Sequence, residues 1–190
     1  MTKICIYGAS SENIPEQYKV AATECGALIA RAGAALVCGG GKAGLMRCAI
    51  DGALLNNGTA IGVLPDFMVQ KGWQHPGLSE MIVEPSMHAR KSRMAALSSG
   101  VIALPGGIGT LEELTEIITW RKLNLYTGQV VILNIDGFFN PLLQMFERTA
   151  EQGFMYPEHL CLWSVASTPA EAVAMALDPN PQQNFPQTIA

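Results

Sequence analysis

The sequence lacks the features that would place it among membrane, secreted or nucleic-acid-binding proteins. Acidic residues outnumber basic ones, 16 to 12, and the net charge of −4 argues against broad attraction to nucleic acid or anionic lipid. No apolar run reaches the length of a membrane span, and the N-terminus shows no signal-peptide pattern. We therefore expect a cytoplasmic protein without a nucleic-acid or membrane partner, in which any phosphate site is local.

Cysteine and histidine are scarce, and their spacing argues against a metal site. The five cysteines are scattered without a C-x-x-C pair, and the three histidines (His75, His88 and His159) are not spaced to join them as ligands. Cys5 and Cys38 lie inside apolar runs, which is typical of reduced core cysteines in a cytosolic protein. We predict no metal site.

Strand-like and helix-like segments alternate from Lys3 to Leu177. Short, continuously apolar strands between helices predict an α/β fold, a doubly wound, mostly parallel sheet with helices on both faces. We expect residues 1–177 to form a single domain and residues 178–190, rich in Pro, Gln and Asn, to form a loose tail. The predicted strands are residues 3–7, 34–38, 59–64, 81–83, 101–104, 130–135 and 160–165, and residues 65–79 are predicted to be a long loop.

The unusual segments of the chain all follow predicted strands. In parallel sheets of this kind, ligands bind beyond the carboxyl ends of the strands. Five segments fall at that edge: residues 8–11, 39–44, 65–66, 85–91 and 105–113. We therefore expect them to share one ligand site.

The glycine loop at residues 39–44 matches the pattern G-x-G-x-x-G between a strand and a helix. Asp66 ends the next strand, near the position where an acid would hold a ribose hydroxyl in a dinucleotide fold. Taken alone, this pattern indicates an NAD-binding protein. The alternative is that the glycines only let the helix pack close to the sheet.

A second segment, residues 87–93, places basic and ionisable side chains in the first two turns of a predicted helix. The helix dipole favours anions at this end, so something negative should face them. Helical spacing puts Arg90 on the stripe that faces the fold, whereas Lys91 and Arg93 are predicted to be solvated. An inward arginine pairs well with a carboxylate or a phosphate, and the alternative is a purely structural ion pair.

A third segment, residues 105–113, is a glycine-rich turn that ends on two adjacent carboxylates. Exposed amides at a helix start attract an anion, and glycines let a ligand approach the backbone. Thr110 and Glu113 match a capping box, with Thr110 as the N-cap. That motif leaves Glu112 and the glycines unexplained. Helical spacing puts both acids and Glu116 toward the rim, with Glu116 merely solvated.

Together these segments combine two glycine turns, one inward arginine and a pair of acids. Hydride transfer needs none of the acids. Cleavage of a glycosidic bond does use them, because a carboxylate can activate water or stabilise an oxocarbenium-like sugar. A phosphate anchored on the glycine turns would position that sugar.

The motifs PGGIGTLEE at residues 105–113 and MHARK at residues 87–91 resemble the paired motifs of the LONELY GUY family. The likeness runs from Lys3 to about Leu177 and includes GASS at residues 8–11 and GGGKAGLM at residues 39–46. The resemblance implies a Rossmann-like, cytoplasmic homodimer. It also implies a phosphoribohydrolase that needs no cofactor and splits nucleoside 5′-monophosphates into a free base and ribose 5-phosphate. Many relatives carry the label lysine decarboxylase, but the chain shows no signature of a pyridoxal phosphate site.

Carried over by position, the resemblance implies Arg90 and Glu113 as the catalytic pair. Gly107, Gly109 and Thr110 would bind the phosphate, and Glu112 would contact the ribose or brace the site. Asp66 is shorter than the Glu common among similar proteins, and Ala9 replaces a common glycine. The full set of implied substrate-binding residues is Ser10, Gly41, Gly44, Met46, Asp66, Met87, Lys91, Gly107, Ile108, Gly109, Thr110, Leu111, Glu112 and Thr119.

Several alternatives stay open at this point. The base is adenine or a cytokinin, and the loop at residues 65–79, with Trp73 and His75, is a candidate to shape the base pocket. Glu113 acts as base, nucleophile or electrostatic stabiliser. A nucleotide-binding protein without turnover and an NAD-dependent oxidoreductase are the competing functions. The apolar surface around Trp120 and Leu123 is either a partner surface or a core-facing stripe. The sharpest structural prediction is that Arg90 and Glu113 face each other across the end of the sheet.

Overall fold

The computed structural model describes residues 1–179 as an alternation of strands and helices. The strands are β1 (Lys3–Tyr7), β2 (Ala35–Cys38), β3 (Thr59–Pro65), β4 (Glu80–Glu84), β5 (Gly100–Ala103), β6 (Gln129–Leu133) and β7 (Ser164–Ala166). The helices are α1 (Glu16–Arg31), α2 (Gly44–Leu55), α3 (Asp66–Gln70), α4 (Met87–Leu97), α5 (Ile108–Lys122), α6 (Asn140–Glu151) and α7 (Pro169–Leu177). Short 3-10 helices cover Ile135–Gly137 and Pro157–Leu162.

All seven strands form one parallel sheet in the order β4-β3-β2-β1-β5-β6-β7. The chain builds outward from β1 to β4 on one side, then returns to β5 and builds outward on the other. β1 therefore pairs with both β2 and β5, and Ile4 lies opposite Leu36 and Gly100. The strand order reverses between β1 and β5, the position at which doubly wound sheets bind ligands beyond the strand ends. The predicted doubly wound, parallel α/β fold is confirmed.

Two apolar cores cover the two faces of the sheet. On one face, side chains such as Ile6, Leu36 and Ile102 pack against α1, α2 and α7. On the other face, Val37, Val63 and their neighbours pack against α4 and α5. Strands that are apolar on both faces need this double cover, which is why their sequences show continuous apolar runs instead of alternation.

Helices α1 and α2 pack closely because each presents a glycine to the other. A Cβ at Gly26 would overlap the carbonyl of Ala49, and a Cβ at Gly52 would overlap the carbonyl of Thr23. The absence of a side chain lets the two backbones touch. This contact fixes the position of α2, the helix that follows the glycine loop at residues 39–44.

Several predicted boundaries differ from the structure. Residues 65–79 are not entirely loop, because the short helix α3 forms directly after Pro65. The strand predicted at residues 160–165 is wrong in its first half: the 3-10 helix Pro157–Leu162 precedes β7. Of the predicted tail, Asp178 and Pro179 follow α7, and residues 180–190 lie outside the described residues. Within residues 1–179, no helix is both long and apolar enough to cross a membrane.

Candidate functional site

A cavity of about 630 Å³ opens at the carboxyl edge of the sheet. Its volume lies in the usual range for small-molecule sites, roughly 300–1,000 Å³. The lining comes from the turn after β1, the glycine loop after β2, the end of β3 with α3, the start of α4 and the turn that opens α5. Four of the five predicted segments thus contribute to one cavity. The segment at residues 65–66 does not line it in the described structure, although its neighbours Leu64 and Met68 do.

Arg90 and Glu113 meet at this cavity. Nη1 of Arg90 donates to Oε1 of Glu113 at 2.8 Å, and Nε donates to the carbonyl of Val63 at 3.0 Å. The guanidinium is therefore fixed between the end of β3 and the second turn of α5. The predicted contact between Arg90 and Glu113 is confirmed, and Arg90 is indeed directed inward, with 6% of its surface exposed.

The Glu113 side chain is largely buried at the edge of the cavity, with 12% of it exposed, and this burial raises its pKa above the ordinary glutamate value. The nearby charge of Glu112 raises the pKa further, whereas Arg90 and Lys91 lower it. These opposing effects are typical of a functional carboxylate, whose proton affinity is adjusted by its surroundings.

The glycine loop is shaped around Arg90. A Cβ at Gly39 would overlap Nη2 of Arg90 and would lie 2.9 Å from the sulfur of Met46. Only a glycine at this position leaves room for the guanidinium. The first glycine of the predicted G-x-G-x-x-G pattern therefore has a role in building the site that does not involve a dinucleotide.

The last glycine of the same loop also has a packing role. Gly44 adopts a φ of +63°, and a Cβ there would overlap the carbonyl of Ala9. The amide of Leu45 donates to the same carbonyl at 2.8 Å, which ties the start of α2 to the turn after β1. Close packing therefore explains why positions 39 and 44 are glycines without any bound dinucleotide. This agrees with the alternative interpretation of the motif, in which its glycines serve packing.

The predicted capping box at Thr110 is wrong. Helix α5 begins at Ile108 with Gly107 as its N-cap, and no side chain of the described residues caps it. Thr110 therefore lies inside the first turn, where its side chain packs against Gly106. The glycines let the helix start three residues earlier than the motif suggests, and the Glu113 carboxylate forms a charge-assisted bond with Arg90 in place of a cap.

The start of α5 is open to a ligand. Amides in the first turn of a helix have no intrahelical acceptor, and together they favour an anion. Apart from residues next to them in sequence and the backbone of α5 itself, no described residue has an atom within 4 Å of the position that a Cβ would occupy at Gly107 or Gly109. These glycines leave free space beside the amides, as an anion site needs.

The prediction that Lys91 is solvated is wrong. Lys91 is buried, and its Nζ donates to Glu112 and, at 3.0 Å, to Glu116. Glu116 is consequently an ion-pair partner and not a merely solvated acid. Sequence spacing does not reveal this, because Lys91 lies beside α5 only once α4 and α5 pack together. Arg93 is half exposed as predicted, and its Nε donates to Glu84 at 2.8 Å.

The cavity brings together most of the predicted site residues. Its lining includes Ser10, Gly41, Met46, Met87, Arg90, Gly107, Ile108, Gly109, Thr110, Glu112 and Glu113. Within residues 1–179, the predicted site residues that are not part of the lining are Gly44, Asp66, Lys91, Leu111 and Thr119. The Asp66 carboxylate accepts a hydrogen bond from Gln70, and Thr119 donates to the carbonyl of Thr115 at 2.8 Å.

The structure adds residues that were not predicted as site residues. Leu64, Met68 and Trp73 form apolar wall, and Lys42 is also part of the lining. Of the two residues that the sequence offers for a base pocket in the loop at residues 65–79, Trp73 lines the cavity and His75 is not part of the described lining. The position of Trp73 depends on backbone pairing between the loop and residues 39–42, which no local pattern reveals.

Other parts of the chain offer less chemistry. Burial raises the pKa of the Cys5 thiol well above its ordinary value and that of Cys38 to about 11, so neither supplies a thiolate beneath the site. A second cavity of about 920 Å³ lies at the opposite edge, near Ser98, Tyr126 and Gln129. Its described lining contains no Lys, Arg, His or Glu. The charged pairs and the open amides occur together only at the carboxyl edge, within the described part of the chain.

Comparison with known proteins shows which family has similar sequences. A family model described as possible lysine decarboxylase matches residues 46–176. The cytokinin riboside 5′-monophosphate phosphoribohydrolase LOG1 of Arabidopsis thaliana is 40% identical over 156 residues, which cover 82% of this chain and 73% of that protein. The enzyme of the same name from Rhodococcoides fascians is 42% identical over 142 residues, 74% of this chain and 72% of that protein.

The chain belongs to the LONELY GUY family. A probable phosphoribohydrolase of this family from Oryza sativa, LOGL2, is 36% identical over 181 residues, 95% of this chain and 74% of that protein. The family likeness thus extends over nearly the whole chain, including both edges of the sheet.

Solved structures support the fold of this LONELY GUY protein. The molybdenum cofactor carrier protein of Chlamydomonas reinhardtii has a TM-score of 0.70 at 28% identity, covering 91% of this chain and 94% of that chain. The molybdenum cofactor binding protein of Rippkaea orientalis also has a TM-score of 0.70, at 26% identity over 91% of this chain and 93% of that chain. One Rossmann-like scaffold therefore occurs both in proteins named as hydrolases and in proteins named as carriers.

Proposed function

We propose that this protein hydrolyses the N-glycosidic bond of nucleoside 5′-monophosphates, releasing a free base and ribose 5-phosphate. One observation carries the proposal: a buried carboxylate, Glu113, is fixed by Arg90 at a cavity that also holds the open amides at the start of α5. The substrate needs both parts, an anion site for its phosphate and a carboxylate for its reacting sugar carbon. The names of the relatives support the same reaction.

The phosphate is proposed to bind the amides of the first turn of α5, near Gly107, Gly109 and Thr110. The helix dipole and the free N–H groups both favour a dianion there. The side chain of Ser10, in the facing turn after β1, lines the same cavity. Binding energy from the phosphate then holds the ribose in register with Glu113, one turn further along the helix.

In the chemical step, the bond between C1′ of the ribose and the base nitrogen breaks, and its electron pair leaves with the base. Water supplies the hydroxyl that forms the new bond to C1′ and the proton that the base takes up. The ionised carboxylate of Glu113 either accepts the proton from water or balances the positive charge that develops on the sugar. Arg90 keeps that carboxylate ionised and oriented. Glu112 is proposed to contact the ribose or brace the site.

A product assay tests the proposal. The protein is incubated with AMP, with isopentenyladenosine monophosphate and, as a control, with adenosine. Base and ribose 5-phosphate are then quantified by chromatography. We expect equimolar base and ribose 5-phosphate from a monophosphate and far less base from adenosine, because adenosine lacks the anchoring phosphate. Binding of AMP without release of base after long incubation would instead indicate a carrier or sensor.

We further propose that the protein is a cytoplasmic homodimer. Leu123 and Leu125 are 49% and 70% exposed beyond the end of α5, which supports a partner surface in this region. The five cysteines, all within residues 1–179, have free thiols, which suits a reducing compartment. Light scattering on the purified protein should give twice the monomer mass, and the mass of a monomer would contradict the dimer.

A further inference from the structure

Trp73 is the large aromatic side chain of the cavity wall. It is 45% exposed, although tryptophan is usually well buried. Phe67, on α3, has nearly the same exposure, 44%, but it is not part of the described lining. The ammonium group of Lys71 lies near both rings, 5.0 Å from the Trp73 centroid and 5.8 Å from that of Phe67. The two aromatic residues thus share a segment and a neighbour and differ in access to the cavity.

The backbone around Trp73 is fixed to the glycine loop. The carbonyl of Trp73 accepts from the amide of Lys42 at 2.9 Å, and the amide of His75 donates to the carbonyl of Gly40 at 2.8 Å. Between these bonds, Gly41 and Gln74 pair as an antiparallel bridge. The segment is therefore fixed by an isolated β-bridge to the loop that surrounds Arg90.

The side chain of His75 fixes the same segment to α2. Its Nδ1 accepts from the amide of Gly77 at 3.1 Å, so in the neutral ring the proton lies on Nε2, which is 3.0 Å from the Asp51 carboxylate. Asp51 also accepts from Nε of Arg47 at 3.4 Å. Because its backbone is held on both sides, the loop around Trp73 needs little backbone ordering when a ligand contacts the indole.

The cavity lining combines open backbone amides with apolar side chains. The amides at the start of α5 lie beside the turn after β1, whose Ala9 amide donates to the carbonyl of Pro105 at 3.2 Å. Trp73, Met46 and Met68 supply apolar lining, and Met46 packs on the glycine loop, with its methyl carbon 3.0 Å from the Cβ position of Gly41. A nucleotide needs both kinds of lining, because it carries a charged phosphate and a flat base.

We propose that Trp73 stacks against the base of the nucleotide and makes the site selective for purines over pyrimidines. The proposal rests on the proposed function in that the phosphate occupies the α5 amides. It adds Trp73 as the residue that contacts the base. A purine covers more of the indole than a pyrimidine does, and base–aromatic stacking is tolerant of ring substituents because every base has a π-face.

Binding measurements separate this proposal from turnover. Calorimetry is performed in a Glu113→Gln background with AMP, UMP and ribose 5-phosphate. We expect Trp73→Ala to weaken AMP binding roughly 5- to 150-fold, the factor that stacking on an aromatic side chain typically contributes. Binding of ribose 5-phosphate should stay unchanged, and the preference for AMP over UMP should shrink. Trp73→Phe should retain part of the AMP affinity.

Phe67→Ala is the matched control, and it should bind all three ligands as the parent does. A second readout is the indole fluorescence, which AMP should quench in the parent and much less in Trp73→Phe. The proposal is overturned if Trp73→Ala binds AMP as the parent does, or if it loses AMP and ribose 5-phosphate equally. If the wild-type protein releases no base but AMP binding still depends on Trp73, the proposed hydrolysis fails and the stacking role stands.

Discussion

Two adjacent ion pairs connect α4 and α5, and they differ in their relation to the cavity. Arg90 pairs with Glu113, with side-chain exposures of 7% and 12%, and both line the cavity. Lys91 is equally buried, but its partners Glu112 and Glu116 are 52% and 23% exposed. Only Glu112 of this second group lines the cavity within the described residues. Neighbouring residues on the same two helices therefore meet different surroundings.

The difference shows how the fold separates chemistry from support. In the pair of Arg90 and Glu113, a single carboxylate with a raised pKa faces the cavity. A buried lysine shared by two acids holds the helices together and compensates the charge of Glu112. Burial lowers the pKa of Lys91, but the hydrogen bonds that its ammonium donates to Glu112 and Glu116 raise it overall, which keeps the ammonium charged. The second group thus adds smaller, opposing effects to the pKa of Glu113, which burial and Arg90 influence most.

The largest expected effect comes from breaking the first pair. Arg90→Ala leaves Glu113 buried without a cation, and we expect a loss of about 3–5 kcal/mol in the free energy of unfolding together with loss of base release. Urea unfolding and the product assay measure the two effects. Arg93→Ala on the same helix is the control: it removes a half-exposed pair with Glu84 and should cost at most about 1 kcal/mol. If Arg90→Ala and Arg93→Ala unfold at the same urea concentration, the buried and the half-exposed ion pair contribute equally to stability, which would contradict this comparison.

The pH dependence of kcat/KM tests whether Lys91 and Glu112 influence the pKa of Glu113. If ionised Glu113 is the working form, the rate falls as pH decreases through its raised pKa, so the acid limb lies above the ordinary glutamate value of about 4.3. Lys91→Met removes a charge that lowers this pKa, so the limb should move to higher pH. Glu112→Gln removes a charge that raises it, so the limb should move to lower pH. If the acid limb moves in the same direction in Lys91→Met and Glu112→Gln, the charges of Lys91 and Glu112 do not act on the pKa of Glu113 as proposed.

The smallest effect is expected at the outer acid of the second group. Glu116→Gln leaves Lys91 with Glu112 and a neutral amide, so we expect a loss of about 1–2 kcal/mol in the free energy of unfolding. Glu84→Gln, which affects the pair with Arg93, serves as the control and should cost less than about 1 kcal/mol. Denaturant midpoints compare the two variants. If Glu116→Gln is as stable as wild type, Lys91 does not depend on its second partner.

The regular features of the fold and the central contact of the site were predictable from the sequence. Continuous apolar runs such as Ala35–Cys38 predict buried parallel strands, and the inward spacing of Arg90 with the acids after the glycine turn predicts its pair with Glu113. Both inferences use local patterns together with one rule, that strand ends of a parallel sheet meet at one edge.

The parts that were not predictable depend on contacts distant in sequence. Thr110 matches a capping box, yet a glycine N-cap starts α5 earlier and Arg90 takes the Glu113 carboxylate. Lys91 looks solvated on its own helix and becomes buried only against α5. Trp73 reaches the cavity because its backbone pairs with residues 40–42, a pairing that no local propensity encodes.

The most direct test of the central claim is base release from AMP by the wild-type protein and by Glu113→Gln, with nucleotide binding measured in parallel. The side-chain amide of Gln keeps the size of Glu113 and can still accept a hydrogen bond from Arg90, so the site should remain assembled. We predict that the variant binds AMP but releases base roughly 10²- to 10⁴-fold more slowly, the usual contribution of a positioned acid–base group. Base release that is unchanged in Glu113→Gln would contradict the assignment of this carboxylate to the reaction.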